Sequence, residues 1–155
     1  MEKAGLTIKS KKQSEEASLS GTRRYSVYRN YYDRFRHRLM FPLKDHRGNV
    51  CGFAGRKIPP VGESRPKGES QEEKEAKYIN TPETPIYHKS DLLYGLWETK
   101  EEIKKADEAI LVEGELDAIS SYQAGVKNVV AIKGSALTAS QVQTLARFTK
   151  KIIFP

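Results

Sequence analysis

The chain has 155 residues, of which 37% are hydrophobic and 30% charged, and its formal net charge is +7. This composition is typical of a folded, rather polar globular protein, and the length suits one domain, or one small subdomain with part of another. No apolar run approaches the roughly 18 residues of a membrane span, and the polar start carries no signal-peptide pattern, so we expect a cytoplasmic protein without membrane contact. A single cysteine, Cys51, excludes an internal disulfide and a cysteine-rich zinc site within the chain.

The positive charge is concentrated in the first part of the chain. Residues 1–60 hold 14 Lys/Arg against 5 Asp/Glu, whereas residues 61–155 hold 13 against 15. A basic half of this kind is a candidate nucleic-acid surface. Charge alone fits a solvated surface equally well, because many basic proteins bind no nucleic acid.

The first elements are predicted from composition and turn residues. Residues 1–29 are rich in Lys, Ser, Glu and Gly, so we expect this segment to be poorly ordered. A basic subdomain is expected over residues 30–106. Within it, residues 38–54 form two apolar runs around a polar segment closed by Gly48, which predicts an antiparallel hairpin. Residues 59–76 have the Pro, Gly, Ser and Glu content of an exposed loop.

The second part of the chain alternates between strand and helix patterns. Residues 90–106 are predicted to form a helix capped by Ser90. Strands are then expected at 109–113, 128–132 and 151–154, with helices at 115–124 and 138–148 between them. Gly125 is placed to end the first of these helices, and Thr138 with Gln141 forms a capping box for the second. The β-α-β-α-β order over residues 107–155 predicts a parallel sheet covered by helices, so the fold class is α/β, with an α+β basic subdomain in front.

Two carboxylates fall where such folds bind ligands. Glu113 ends the first parallel strand, and Asp117 lies one turn into the following helix, so both can face the crevice at the carboxyl ends of the strands. Oxygen ligands of this kind suit Mg²⁺ or Mn²⁺. Taken alone, a Glu and an Asp at this spacing more often only stabilise the start of a helix through its dipole. Glu115, between them, is expected to be solvated.

Several motifs, in order, resemble bacterial DnaG-type DNA primases. The segment ILVEGELDAIS (110–120) resembles the Toprim signature of a strand, EGxxD and a helix, which primases share with topoisomerases and some nucleases. Segments similar to those of primases are YYDRFRHRLMFPLKDHRGNVCGFAGRKI (31–58), KYINTPETPIYHKSDLLYGL (77–96) and VAIKGSALTASQ (130–141). The resemblance covers about residues 30–155, and it implies a basic core subdomain followed by part of a Toprim fold.

The resemblance implies roles for matching residues. Glu113 and Asp117 correspond to catalytic, metal-binding carboxylates. A basic face for single-stranded template and nucleotide phosphates is implied for Arg34, Arg36, Arg38, Arg56, Lys77 and Lys89. The implied reaction is synthesis of short RNA primers on single-stranded DNA from NTPs with a divalent metal. The implied partners are therefore the template, NTPs, the RNA primer and, through regions outside this sequence, a replicative helicase. Neighbouring aromatic residues could stack on bases, although most are expected in the core, Phe41 among them.

The sequence also departs from the family pattern. The N-terminal zinc-binding domain of complete primases is absent from it, and the third Toprim strand is followed by no DxD pair, because the sequence stops at KIIFP. With two carboxylates we expect weak metal binding and no primer synthesis by these 155 residues alone. Two alternatives remain: a non-catalytic module that binds single-stranded nucleic acid, and a Toprim nuclease or topoisomerase-related protein.

Overall fold

The computed structural model describes residues 4–9, 31–58, 76–134 and 136–154. The strands are β1 (Thr7–Lys9), β2 (Tyr31–Asp33), β3 (Arg38–Lys44), β4 (Val50–Lys57), β5 (Tyr78–Asn80), β6 (Leu93–Tyr94), β7 (Ala109–Val112), β8 (Val129–Ile132) and β9 (Ile152–Ile153). The helices are α1 (Leu96–Ala106), α2 (Glu115–Gln123) and α3 (Ala139–Leu145). Within these residues no helix combines the length and apolarity needed to cross a membrane.

A short strand lies in the N-terminal segment. β1 pairs antiparallel with β2, with Thr7 opposite Asp33, and the Arg34 N–H donates to the Leu6 carbonyl at 2.9 Å. The expectation that most of residues 1–29 are poorly ordered did not include this strand, and residues 1–3 and 10–29 lie outside the described part. The polar composition could not reveal this pairing, because the partner strand is more than twenty residues away.

The predicted hairpin is confirmed. β3 and β4 pair antiparallel, with Phe41 opposite Ala54, and Gly48 in the connecting turn has a φ of 94°. Asp45 stabilises the turn, because its Oδ1 accepts the backbone N–H groups of Arg47 and Asn49 at 2.9 Å each. β5 adds a third strand on the other side of β4. The loop predicted for 59–76 lies almost entirely outside the described residues.

The parallel sheet is also confirmed, with one additional strand. Its order is β6-β8-β7-β9, in which β7 runs parallel to both β8 and β9. β6 closes the other edge antiparallel to β8. β6 and α1 precede residue 106, yet both pack with the parallel sheet. The predicted division of the chain at residue 106 remains a prediction.

The start of α1 differs from the prediction. The helix begins at Leu96 and is preceded by Gly95, so Ser90 does not cap it. Leu92 and Leu93 are buried, and Leu93 is extended opposite Ile132. Pairing with the sheet and burial of both leucines outweigh a helical pattern that is only a weak local preference.

Helices cover both faces of the parallel sheet. One cluster joins side chains from α1 and α3 to one face, and its members are Leu93, Leu96, Ile103, Ala109, Leu111, Val130, Ile132 and Leu145. On the opposite face, Ala118 of α2 packs with Val129 and Ala131. A further cluster around Phe41 and Tyr87 lies under the hairpin. All four residues of β8 are consequently buried.

Two predicted helix boundaries are confirmed. The Gln141 N–H donates to Thr138 Oγ1 at 3.1 Å, while Gln141 Oε1 accepts the Thr138 N–H at 3.0 Å, which forms the capping box. Gly125, with a φ of 100°, follows α2. Its N–H reaches the Tyr122 carbonyl, and the next N–H reaches that of Ser121, so the helix ends in a Schellman motif.

The Thr138 hydroxyl also donates to the Ser90 carbonyl, which links α3 to the segment before β6. We expect Thr138→Ala to lower the free energy of unfolding by about 1 to 2 kcal/mol, because a helix cap and this link are lost together. Thr138→Ser keeps the oxygen and should stay within about 0.5 kcal/mol of the wild type. Urea denaturation measures both values; equal stabilities for the two variants would contradict the capping role.

Candidate active site

A concavity of about 430 Å³ lies where the β3-β4-β5 sheet meets the carboxyl ends of β7 and β8. Its lining residues are Arg56, Tyr78, Asn80, Lys89, Glu113, Gly114, Glu115, Leu116, Asp117, Ile132, Lys133 and Gly134. The four motif segments, which are distant in sequence, therefore meet at one place. Cations come from Arg56 of β4, Lys89 and Lys133, and carboxylates from Glu113 and the start of α2.

Glu113 and Asp117 lie at this concavity, as the strand-end geometry predicted. Glu113 directly follows β7, Asp117 lies in the first turn of α2, and both side chains are exposed. A Cβ at Gly114 would lie 3.0 Å from Asp117 Oδ2, so the glycine lets this carboxylate approach the backbone of the turn. The N-terminus of α2 favours negative charge at this position.

The two carboxylates suit a loosely held divalent ion. Among the described residues, no group of three or more His, Cys, Asp or Glu side chains is placed to hold a metal. Mg²⁺, however, is commonly bound by one or two carboxylates, with water and substrate phosphates completing its coordination. Glu113 and Asp117 fit that arrangement and do not form a closed protein cage.

Glu115 differs from the prediction. It is buried, with only 7% of its surface exposed, and it forms an ion pair with Lys133, which follows β8 and is itself 8% exposed. The Lys133 Nζ also donates to Asn80 Oδ1 at 3.0 Å. Glu115 therefore turns into the protein at the first position of α2, where a buried cation compensates its charge.

Sequence reasoning missed Lys133 and Asn80. Both lie within the motif segments, Lys133 after β8 and Asn80 at the end of β5. A lysine or an asparagine at the end of a strand is usually exposed, so the sequence gives no sign of a buried polar contact there. Burial, and secondarily the charge of Lys89, lower the pKa of Lys133 to about 8. The Glu115 carboxylate acts in the opposite direction, because an adjacent negative charge favours the ammonium form.

The six cations implied by the resemblance divide into two groups. Arg34 and Arg38 bond to backbone: Arg34 Nε donates to the Asn80 carbonyl at 3.0 Å, and Arg38 Nη1 to the Ala76 carbonyl at 2.9 Å. These two contacts hold β5 and the residues before it in place. The other four are Arg36, Arg56, Lys77 and Lys89. Of these, Arg56 and Lys89 line the concavity.

Aromatic side chains accompany the cations of this sheet. The Arg36 guanidinium lies 4.8 Å from the centre of the Tyr32 ring, and Arg56 lies 5.6 Å from that of Tyr78. Both rings are about 40% exposed, so each presents a face that a base could contact. Phe41, by contrast, is buried, as predicted.

Comparisons with protein families and known proteins identify the family. Residues 3–100 match the family model described as "DNA primase catalytic core, N-terminal domain". The chain belongs to this DnaG-type primase family. Residues 110–154 match a second family described as "Toprim-like", which covers β7 to β9 with α2 and α3. The Toprim and DNA primase families generally use divalent metals.

Individual relatives of this primase family are longer than the chain. A DNA primase from Synechocystis is 44% identical over 142 residues, which are 90% of this chain and 20% of the relative. The crystal structure of the Aquifex aeolicus primase, with zinc-binding and RNA polymerase domains, is 41% identical, with a TM-score of 0.68 over 84% of this chain and 29% of that one. A DnaG primase catalytic domain bound to single-stranded DNA is 34% identical, with a TM-score of 0.70 over 98% and 38%.

We expect the chain to bind Mn²⁺ weakly, with a dissociation constant of about 1 mM, because two carboxylates leave most of the coordination to water. Glu113→Gln with Asp117→Asn should weaken this binding at least about 10-fold by removing both charged ligands. Electron paramagnetic resonance of free Mn²⁺ measures the constant. Glu101→Gln with Glu102→Gln, which removes the same charge from α1, is the control. Binding that survives the double substitution would exclude this pair as the metal site.

Proposed function

We propose that the chain is part of the catalytic core of a cytoplasmic replicative DNA primase, which synthesises short RNA primers on single-stranded DNA from NTPs. Membership of the primase family supports the reaction class, and the chain spans only about a fifth of the Synechocystis relative. The observation that carries the proposal is the concavity itself, in which Glu113 and Asp117 face Arg56 and Lys89.

This arrangement suits nucleotidyl transfer. In the proposal Glu113 and Asp117 hold Mg²⁺ or Mn²⁺, and the ion, when bound, offsets the charge that develops on the phosphates during in-line displacement. Arg56 and Lys89 contact the triphosphate. An arginine offers a planar fork to phosphate oxygens and a lysine a compact charge, so the two can bind adjacent phosphates.

The template is assigned to the exposed side of the β3-β4-β5 sheet and of β2. Arg36 with Tyr32, and Lys77 with Tyr78, pair a phosphate-binding cation with a ring on which a base can stack. Arg34 and Arg38, which bond backbone carbonyls, would act mainly by holding this surface in shape. The DnaG primase catalytic domain solved with single-stranded DNA supports binding of such a template by this family.

The two other hypotheses are less well supported. A module that only binds single-stranded nucleic acid would have no need for exposed carboxylates directly beside its cations, because they repel phosphate. A Toprim nuclease or topoisomerase would share Glu113 and Asp117, but residues 3–100 match a primase domain.

We expect the chain to bind single-stranded DNA with a dissociation constant in the micromolar range or weaker, and with strong salt dependence, since its contacts are chiefly to phosphate. Arg36→Ala with Lys77→Ala should weaken binding to all sequences alike and lower the slope of log K against log salt by about 1.4, or 0.7 for each lost contact. Fluorescence anisotropy between about 50 and 200 mM salt measures both quantities.

The control is Lys104→Ala with Lys105→Ala, which removes the same charge from the far end of α1. Its affinity and slope should fall less than those of the variant that lacks Arg36 and Lys77. If both double variants lost the same affinity and slope, DNA binding would depend on the net charge of the chain and not on this surface.

Primer synthesis is best tested in a chimera in which this chain replaces the 142 residues that it matches in the Synechocystis primase. β9 pairs parallel with β7, so residues that follow β9 in the chimera join the edge that carries Glu113. The chimera should make primers. Glu113→Gln in the chimera should abolish primer synthesis, because it removes a ligand of the metal ion. It removes no phosphate contact, so the affinity for single-stranded DNA should stay within about two-fold of that of the unsubstituted chimera.

Glu102→Gln in the same chimera is the control and should leave synthesis at the level of the unsubstituted chimera. If the Glu113→Gln chimera still makes primers on a single-stranded template, the assignment of Glu113 to the metal is wrong.

A further inference from the structure

Lys133 lies at the junction of the two sheets that form the concavity. Its ammonium contacts Glu115 at the start of α2 and, at 3.0 Å, Asn80 Oδ1 at the end of β5. Lys133 follows β8, so one buried group joins the parallel sheet, its helix and the basic sheet. The chain of contacts continues to Arg34, whose Nε donates to the Asn80 carbonyl at 3.0 Å.

The burial of this contact shows that it is specific. The side chains of Lys133 and Glu115 are only 4% and 9% exposed. A surface pair of this kind would contribute little, but a buried ammonium requires partners for its protons, and both partners are present. One acceptor belongs to α2, which packs on the parallel sheet, and the other to β5, so the β3-β4-β5 sheet cannot shift against the parallel sheet and its helix at this point without breaking a buried polar contact.

We propose that Lys133 is a positioning residue for nucleotide binding, which sets the spacing between the phosphate-binding cations of one sheet and the carboxylates of the other. The inference rests on the proposed function. A triphosphate that bridges the two groups must reach Arg56 and Lys89 at one end and an ion at Glu113 and Asp117 at the other. Lys133 touches neither end in this arrangement.

The same contact determines how many carboxylates face the ligand. Glu113, Glu115 and Asp117 occupy alternate positions over five residues, yet Glu115 turns inward to Lys133. Lys133 therefore keeps the third carboxylate away from both the ion and the phosphates. Lys133 should affect mainly the affinity for ion and triphosphate bound together, because only their joint binding depends on the spacing between the sheets.

The test is the binding coupling between Mn²⁺ and ATP in the 155-residue chain. Three dissociation constants are measured: Mn²⁺ alone, ATP without metal, and ATP with saturating Mn²⁺. The ratio of the two ATP constants is the coupling, which we expect to be about 10-fold in the wild type. Mn²⁺ resonance and a fluorescent ATP analogue report the constants without any assay of primer synthesis.

Two variants interrupt the junction differently. Lys133→Met with Glu115→Gln removes both charges together, which avoids a buried unpaired carboxylate. Asn80→Leu cuts only the link between the sheets and leaves the ion pair in place. Both should lower the coupling below about 3-fold, while Mn²⁺ alone and ATP alone stay within about two-fold of the wild type. Lys105→Met, on the exposed face of α1, should keep the full coupling.

Three results would overturn the inference. Unchanged coupling in both junction variants would show that Lys133 does not position the site, and would leave the proposed function intact. Losses in the separate Mn²⁺ and ATP affinities as large as the loss in coupling would assign Lys133 to the ligands or to folding instead. A wild-type chain whose ATP binding does not respond to Mn²⁺ would overturn both the inference and the proposed nucleotide site.

Discussion

The double-sided burial of β8 is the constraint on which the rest of this structure depends. Its four residues are all buried, with α1 and α3 on one face of the sheet and α2 on the other. A strand enclosed in this way has to be apolar throughout and has to lie between two neighbours, which are β6 and β7. Along β8, polar side chains can appear only after the strand ends. Lys133 and Gly134 follow it and line the concavity. Core and site are therefore parts of one arrangement.

The turn after β7 carries three acidic residues over five positions, which is an unfavourable concentration of charge. The structure resolves it by separating them. Glu115 is buried against Lys133, while Glu113 and Asp117 stay exposed at the start of α2, where the helix dipole favours negative charge. Burying an ion pair is seldom a strong source of stability, since desolvation offsets most of the attraction. Its clearer effect here is geometric, because the pair and Asn80 fix how the two sheets meet.

The sequence predicted the features that depend on local patterns. The apolar runs of β7 and β8, the Thr138 capping box and the position of Gly125 all follow from short-range chemistry, and the position of Glu113 after a parallel strand followed from topology. The features it missed depend on distant partners. β1 requires β2, β6 requires the free edge of β8, and the inward turn of Glu115 requires Lys133, eighteen residues later in the chain. No periodicity in a single segment carries that information. The motif resemblance named six cations, but could not show that Arg34 and Arg38 bond to backbone carbonyls.

On the proposed function, the closeness of cations and carboxylates has an energetic reason. A triphosphate held by Arg56 and Lys89 lies near Glu113 and Asp117, and two like unit charges about 4 Å apart near a protein surface repel by about 4 kcal/mol. A divalent ion held by Glu113 and Asp117 would supply positive charge that offsets this repulsion. The carboxylates alone bind such an ion weakly, and the cations alone would hold phosphate close to an opposing charge. The triphosphate therefore supplies the oxygen ligands that the ion lacks, and the ion supplies the positive charge that the triphosphate lacks beside the carboxylates. The site consequently favours the ion–triphosphate complex over either component. Such selectivity depends on distance, because the Coulomb energy changes steeply over a few ångströms. A rigid junction between the two sheets is accordingly part of recognition, and the buried ammonium of Lys133 lies at that junction.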